Sequence, residues 1–179
     1  MVSPVSFDVE TLHSYDSSSL FNIFVSPHFL QNKIISFSIE TSFAETEIET
    51  QFLIVDIAAK NTHALISELK NSPDTSFDYL FCQTGVDFPE HMEILFHLRS
   101  TTHHHEMVVR AKIDDRENPI IDSVYDLYKT AEYHEREIFD LFGVKFNNHP
   151  DLRRLFLDDE WEGYPLRKDY VDEINIVEL

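Results

Sequence analysis

The chain has 179 residues, of which 42% are hydrophobic and 13% aromatic, and its formal net charge at pH 7 is −19. This length and apolar content predict one packed globular domain rather than a disordered chain. The negative charge disfavours a freestanding nucleic-acid binder, because it repels phosphate groups. The single cysteine, Cys82, excludes a disulfide framework and any multi-thiolate metal site built by this chain alone. The sequence starts without a signal-peptide pattern and has no apolar run near the roughly 20 residues that span a bilayer, so we expect a soluble protein of a reducing compartment.

The first part of the chain carries the patterns of two strands and a helix. Residues 7–14 are a candidate short helix. Lys33 to Thr41 and Ile48 to Ile57 alternate β-branched or aromatic side chains with polar ones, which is typical of strands. Asn61 is a candidate N-cap for a helix that ends at the cluster from Asn71 to Asp74.

Three further strand-like runs follow: Phe77 to Thr84, Met92 to Ser100 and Glu106 to Ile113. The polar connection from Thr101 to His105 suits a hairpin between the last two runs. A helical region is predicted from Ser123 to Phe142, with a break near Lys129 and Thr130. Strands and helices in this order predict an α+β fold, a two-layer domain with a mixed β-sheet packed by helices and followed by an extended C-terminal arm.

The last predicted helix places a carboxylate in the middle of its apolar face. At about 100° per residue, Ala131, Ile138 and Phe142 lie on one arc, and Glu135 falls at its centre. We expect this carboxylate to be buried or at an interface, and a buried one needs a partner, because unpaired burial costs several kcal/mol or forces protonation. Three arginines that follow in the sequence are the natural partners: Arg153, Arg154 and Arg167.

Gly143 is predicted to end this helix in a left-handed conformation. The chain therefore divides into a globular part, about residues 1–143, and a C-terminal arm, about residues 144–179. His149 is expected to order the turn before Pro150, and the pair Tyr164 and Pro165 favours extended or turn geometry.

Three motifs in this region resemble one known family. They are E-R-E-I-F-D-L-F-G-V from Glu135 to Val144, H-P-D-L-R-R from His149 to Arg154, and G-Y-P-L-R-K-D-Y from Gly163 to Tyr170. In order and spacing they resemble the C subunit, of the 30 kDa subunit family, of respiratory NADH:quinone oxidoreductase, complex I. The resemblance covers about Phe52 to Tyr170. The family commonly has a tryptophan where this chain has Tyr133 and His134, and the length of 179 residues leads us to expect an unfused protein.

The resemblance implies a noncatalytic structural subunit of the peripheral arm of complex I. It implies no cofactor in this chain, with FMN and iron-sulfur clusters held by partner subunits. The expected partners are the quinone-site subunit and the iron-sulfur subunits, whose electron transfer from NADH to quinone is coupled to proton translocation. The implied location is the cytoplasmic face of a bacterial inner membrane, or less commonly the mitochondrial matrix face, with membrane association only through the complex.

The expected family-motif or partner-interface residues are Glu135, Arg136, Glu137, Asp140, Gly143, His149, Pro150, Asp151, Arg153, Arg154, Trp161, Gly163, Tyr164, Pro165, Arg167, Lys168, Asp169 and Tyr170. Arginine and aromatic residues are frequent energetic anchors of interfaces. Two alternatives stay open: the cations form an ordinary surface ion-pair network, or Glu135 and Asp140 only pair the C-terminal arm within this subunit.

Other interpretations of the polar residues are weaker. The run from His103 to His105 is predicted to be a solvated hairpin turn rather than a metal site. Glu135 and Glu137 lie about 200° apart on a helix, which argues against a catalytic carboxylate pair. Competing functions are the equivalent subunit of a related membrane-bound hydrogenase or other-donor complex, a freestanding metal-dependent hydrolase, and an independent acidic binding module.

Overall fold

The structure is a computed structural model that describes residues 34–43 and 49–172, with side chains from residue 53 onward. The strands are β1 Ile34–Phe43, β2 Glu49–Ala58, β3 Tyr79–Asp87, β4 Met92–Arg99, β5 Glu106–Ile113, β6 Ile120–Asp122 and β7 Lys145–Asn147. The helices are α1 Ala59–Asn71 and α2 Ala131–Phe142. The candidate helix at residues 7–14 lies outside the described residues.

Within the described part of the chain, five strands form one mixed sheet in the order β1-β2-β5-β4-β3. Strands β2 and β5 are parallel, and the other neighbours are antiparallel. Helix α1 packs against β2 and β5, whereas α2 packs against β3. The predicted two-layer α+β domain with a mixed sheet is therefore confirmed.

The alternation of side chains along the strands explains which face carries the helices. In β4, Met92, Ile94, Phe96 and Leu98 are buried, and the residues between them are half-buried. These four side chains belong to one core cluster with apolar residues of both helices. Truncating a buried leucine of such a core to alanine costs about 2–5 kcal/mol.

Two predicted helix starts are wrong. Helix α1 begins at Ala59 because β2 continues into it directly, so Asn61 lies inside the helix and no side chain caps it. Helix α2 begins only at Ala131. The residues before it form turns. In one of these turns, Tyr128 N donates a hydrogen bond to Val124 O at 2.8 Å.

The short parallel pair β6 and β7 is absent from the sequence prediction. Strands of three residues carry no periodicity that a sequence pattern can reveal. Val144 and Phe146 are buried members of the core cluster, so the apolar face of α2 continues beyond Gly143. No helix among residues 34–43 and 49–172 is long and apolar enough to cross a bilayer.

Candidate interface: the C-terminal arm against helix α2

Helix α2 ends at Gly143, as the sequence predicts. Gly143 has a φ of 75°, a left-handed conformation that glycine adopts without steric cost. A Cβ at this position would collide with the ring of Tyr164. Glycine is therefore required both by the helix stop and by the close approach of the C-terminal arm.

Asp140 holds the start of the C-terminal arm from a fully buried position in the last turn of α2. Its Oδ1 accepts a hydrogen bond from Arg154 Nη1 at 2.8 Å. Its Oδ2 accepts from three consecutive backbone N–H groups, of Leu155, Phe156 and Leu157, at 2.7–3.0 Å. Burial by itself raises the pKa of Asp140, but these hydrogen bonds outweigh it and hold the pKa below its usual value.

Arg154 joins two separate parts of the C-terminal arm to the helix. Besides Asp140, its guanidinium donates to Trp161 O at 2.8 Å and to Gly163 O at 3.2 Å. It also lies 5.5 Å from the ring centroid of Tyr164. The planar fork of donors suits arginine, since lysine cannot reach several acceptors in one plane.

The last three carbonyl groups of α2 have no hydrogen-bond donors within the helix. The C-terminal arm supplies these donors. Arg154 Nη1 donates to Asp140 O at 3.1 Å, and Leu166 N donates to Leu141 O at 3.0 Å. Arg167 Nε donates to Phe142 O at 2.6 Å. Two cations at the negative end of the helix dipole add favourable electrostatics.

Arg136 lies on α2 itself and is buried. Its Nε and Nη2 donate to the carbonyl oxygens of Arg153 and Arg154 at 3.2 Å and 3.0 Å. Arg136 therefore holds the backbone of the H-P-D-L-R-R motif in place, and its acceptors are carbonyl oxygens rather than a carboxylate.

A second attachment lies further along the C-terminal arm. Arg116 forms a two-point pair with the buried carboxylate of Asp87, with both hydrogen bonds at 2.8 Å, and it also pairs with Asp169 at 2.7 Å. The hydrogen bonds from Arg116 lower the pKa of Asp169 to about 2. Lys168 N donates to Asp87 Oδ2 at 2.8 Å. The sequence reasoning missed Arg116 and Asp87, because residues so distant in the chain carry no local pairing signal.

His149 lies in the turn that the sequence predicts it to order. Its Nε2 lies 3.0 Å from Glu132 O, and its Nδ1 accepts a hydrogen bond from Asp151 N at 3.1 Å. Both contacts are satisfied by one neutral tautomer that carries the proton on Nε2. Arg153 pairs with Asp151 at 2.8 Å and is 67% exposed.

Glu135 is fully buried, as predicted, but its partners differ from the expected arginines. Ser123 Oγ donates to its carboxylate at 2.5 Å, and Val124 N donates at 2.8 Å. Burial is the largest influence and raises the pKa of Glu135 to about 7. The amide of Gln83 is close enough to influence this pKa, yet neither amide atom forms a hydrogen bond with another described residue.

The predicted pairing of Glu135 with Arg153, Arg154 or Arg167 is wrong for a geometric reason. Arg154 and Arg167 bind carbonyl groups in the last turn of α2, more than one turn beyond Glu135. The carboxylate instead faces the turn that precedes the helix, where one hydroxyl and one backbone N–H are available.

The remaining predicted residues occupy varied positions. Glu137 is exposed, away from the buried Glu135. Trp161 is half-buried, and its Nε1 is a buried donor without a partner among the described residues. Gly163 has a φ of 82° beside the ring of Tyr170. Pro150 is exposed, and Pro165 is half-buried.

Large apolar side chains remain exposed on the C-terminal arm. The exposed fractions are 66% for Phe156, 52% for Leu166 and 69% for Val171. The sequence reasoning missed them, although large apolar residues inside an irregular, charged segment are a usable signal of an interface.

The histidine run lies in the β4–β5 hairpin connection, as predicted. His103 Nε2 lies 2.8 Å from Pro73 O, and His105 Nε2 lies 2.9 Å from Thr75 O. Among the residues whose side chains are described, no group of three or more His, Cys, Asp or Glu residues could hold a metal ion. Cys82 is half-buried opposite His97.

The fold and its contacts define a two-layer α+β domain whose C-terminal segment is attached to the end of α2 by the buried Asp140–Arg154 ion pair and by hydrogen bonds to the last carbonyl groups of the helix. Residues 55–174 match the family model described as the respiratory-chain NADH dehydrogenase 30 kDa subunit. The chain belongs to this family.

Relatives support the same assignment. The chain is 42% identical over 96 residues to the C subunit of NADH-quinone oxidoreductase from Chloroherpeton thalassium, with coverage of 52% of this chain and 40% of the relative. It is 41% identical over 105 residues to the same-named protein of Chlorobium phaeobacteroides, covering 57% and 63%. It is 40% identical over 122 residues to the NADH-quinone oxidoreductase C/D protein of Phocaeicola vulgatus, covering 68% of this chain but only 23% of that one. The chain thus spans less than two thirds of the length of each of these relatives.

The fold of this chain is also similar to that of one chain in a solved structure, which is of a complex with a different name. It is a chain of the membrane-bound sulfane sulfur reductase, described as an archaeal respiratory membrane complex. The TM-score is 0.60 at 26% identity, and the match covers 76% of this chain and 78% of that chain.

Proposed function

We propose that this chain is a noncatalytic structural subunit of the peripheral arm of an NADH:quinone oxidoreductase. The observation that carries the proposal is the match of residues 55–174 to the 30 kDa subunit family, which includes all three motifs of α2 and the C-terminal arm. In this role the chain supports electron transfer from NADH through iron-sulfur centres to quinone, coupled to proton translocation.

The function is positional, and partner chains supply the redox groups. FMN and iron-sulfur clusters belong to other subunits in this proposal, and this chain packs against the quinone-site subunit and the iron-sulfur subunits. Electron transfer depends on fixed distances between carriers, so a rigid protein without redox groups can serve by holding its neighbours. Rigidity is supported by Asp140, whose carboxylate accepts four hydrogen bonds from the C-terminal arm.

The eighteen motif residues have two roles in this proposal. One group holds the C-terminal arm against α2 through hydrogen bonds within this chain, and it includes Asp140, Arg136 and Arg154. Exposed positions such as Arg153 and Lys168 are available to partner subunits. The subunit lies peripherally on the cytoplasmic face of the membrane and reaches the membrane only through the complex.

A second candidate function is the equivalent position in a respiratory membrane complex with another substrate. The specific observation in its favour is the structural similarity to a chain of the sulfane sulfur reductase. A freestanding metal-dependent hydrolase has less support, because it needs metal ligands to converge, and the residues with described side chains offer no such group.

The test is purification from the native membrane through a tag on this chain. We expect a multi-subunit complex that contains FMN and iron-sulfur clusters and oxidises NADH with a quinone acceptor. A complex that reduces sulfur compounds or evolves hydrogen instead would favour the second candidate. Recovery of the tagged chain alone, as a soluble monomer, would contradict both.

A further inference from the structure

We propose that the outer surface of the C-terminal arm binds an apolar pocket with a basic rim on a different protein chain. Phe156 and Leu166 enter the pocket, and the acidic loop, defined as residues 158–162, meets the basic rim. This inference rests on the proposed function, because it specifies the chemistry of the partner surface against which a peripheral-arm subunit packs.

The backbone N–H groups of Phe156 and Leu166 are both bound by the last turn of α2. Phe156 N donates to Asp140 Oδ2 at 2.7 Å, and Leu166 N donates to Leu141 O at 3.0 Å. Their backbones are thus attached to consecutive residues of α2, while their side chains are 66% and 52% exposed. A surface that is already ordered loses little conformational entropy when it binds.

Arg154 holds the acidic loop, which lies between Phe156 and Leu166 in the sequence. Its four acidic residues are all exposed: Asp158, Asp159, Glu160 and Glu162. Arg154 donates to Trp161 O and Gly163 O, so the loop is held at its base by the guanidinium that binds Asp140. The outer surface therefore combines apolar side chains with a concentration of negative charge.

Three of the cations that the sequence suggested for a partner are used within the chain. Arg136, Arg154 and Arg167 donate to backbone carbonyls of α2 or of the C-terminal arm. Arg116 is occupied by Asp87 and Asp169. Arg153 and Lys168 remain exposed, but the acidic loop carries four exposed carboxylates, so the partner surface that faces this loop is expected to carry positive charge.

The net charge decides among possible occupants. At −19, a second copy of this chain is repelled, and an anionic lipid surface is repelled for the same reason. A folded protein with lysine and arginine around an apolar pocket offers complementary charge, and interfaces commonly combine an apolar centre with a polar rim.

The experiment uses the tagged full chain in its native membrane, with two double variants. One is Phe156→Ala with Leu166→Ala, and the other is Asp158→Lys with Asp159→Lys. Matched controls are Ile120→Ala, a comparably exposed apolar residue, and Asp74→Lys with Glu90→Lys, which are exposed acids outside the C-terminal arm. We expect the two test variants to recover at least about tenfold less of the partner chains, and the controls to match the wild type.

Carbodiimide cross-linking of the wild-type complex identifies the partner chemistry directly, because it joins carboxylates to nearby lysines. We expect the acidic loop to be joined to lysines of another kind of chain. Cross-links only within this chain, or between two copies of it, would overturn the proposal. Full recovery of partners by both test variants would also overturn it, and would leave the proposed function intact. If the wild type itself recovers no partner, the proposed function fails first.

Discussion

The guanidinium of Arg154 lies 2.8 Å from the carboxylate of Asp140, and this pair closes the C-terminal arm onto the end of helix α2. The Asp140 side chain is fully buried, and three backbone N–H groups complete its hydrogen bonds. Because a buried charge without its partner is costly, neither residue can be removed without a loss of stability. This supports the interpretation in which Asp140 pairs the C-terminal arm within the subunit.

The first prediction concerns Arg154→Ala. This change leaves the buried Asp140 carboxylate without its cation, and we expect the free energy of unfolding to fall by about 3–5 kcal/mol. Chemical denaturation of the full chain measures the change. The matched control is Arg153→Ala, whose pair with Asp151 is exposed and should therefore contribute little to the free energy of unfolding. Equal effects of the two variants would contradict the assignment.

The second prediction is a pH dependence of stability that comes from Glu135. The pKa of Glu135 in the folded chain is about 7, above its ordinary value of 4.5, so the folded state holds the proton more tightly than the unfolded state. The stability contributed by this group is fully present below about pH 4.5 and is lost as the pH rises through about 7. The expected loss is about 3 kcal/mol.

Glu135→Gln tests this dependence, because an uncharged amide keeps similar shape. We expect the variant to be more stable than the wild type at pH 8 and nearly equal to it at pH 5, as measured by urea unfolding. Glu137→Gln, an exposed position on the same helix, corrects for the general relief of negative charge at low pH. A Glu135→Gln profile parallel to the wild-type profile would show that the carboxyl does not titrate in this range.

The third prediction concerns Gly143→Ala. A left-handed conformation costs an ordinary residue roughly 1–2 kcal/mol, and the new Cβ would also collide with the ring of Tyr164. We expect a loss of thermal stability larger than the backbone cost alone. In a Tyr164→Ala background the collision is absent, so the same change should cost less. An equal cost in both backgrounds would assign the whole effect to the backbone.

The fourth prediction concerns the second attachment. Arg116→Ala removes the cation from the buried Asp87 and breaks the link to Asp169. We expect a loss of about 3 kcal/mol in stability and faster hydrogen exchange at the Lys168 amide, which donates to Asp87. Lys112→Ala, which removes an exposed pair with Asp114, is the control. Unchanged exchange at Lys168 would show that Arg116 does not hold this part of the C-terminal arm.

Local patterns determined most of the fold. The run from Glu106 to Ile113 was predicted with the bounds that β5 has, and Gly143 ends α2 as expected. These features depend on side-chain alternation and on the backbone freedom of one glycine, which are properties of neighbouring residues. The burial of Glu135 was predictable for the same reason, since its position on the apolar arc follows from the helix repeat.

Only the tertiary structure decided which residues pair. Glu135 binds the turn at Ser123 rather than an arginine, and Arg116 joins Asp87 to Asp169 across separate elements. A sequence shows that a buried carboxylate needs a donor, but several donors along the chain satisfy that need equally well. The choice among them depends on distances that exist only after the sheet, α2 and the C-terminal arm have packed together.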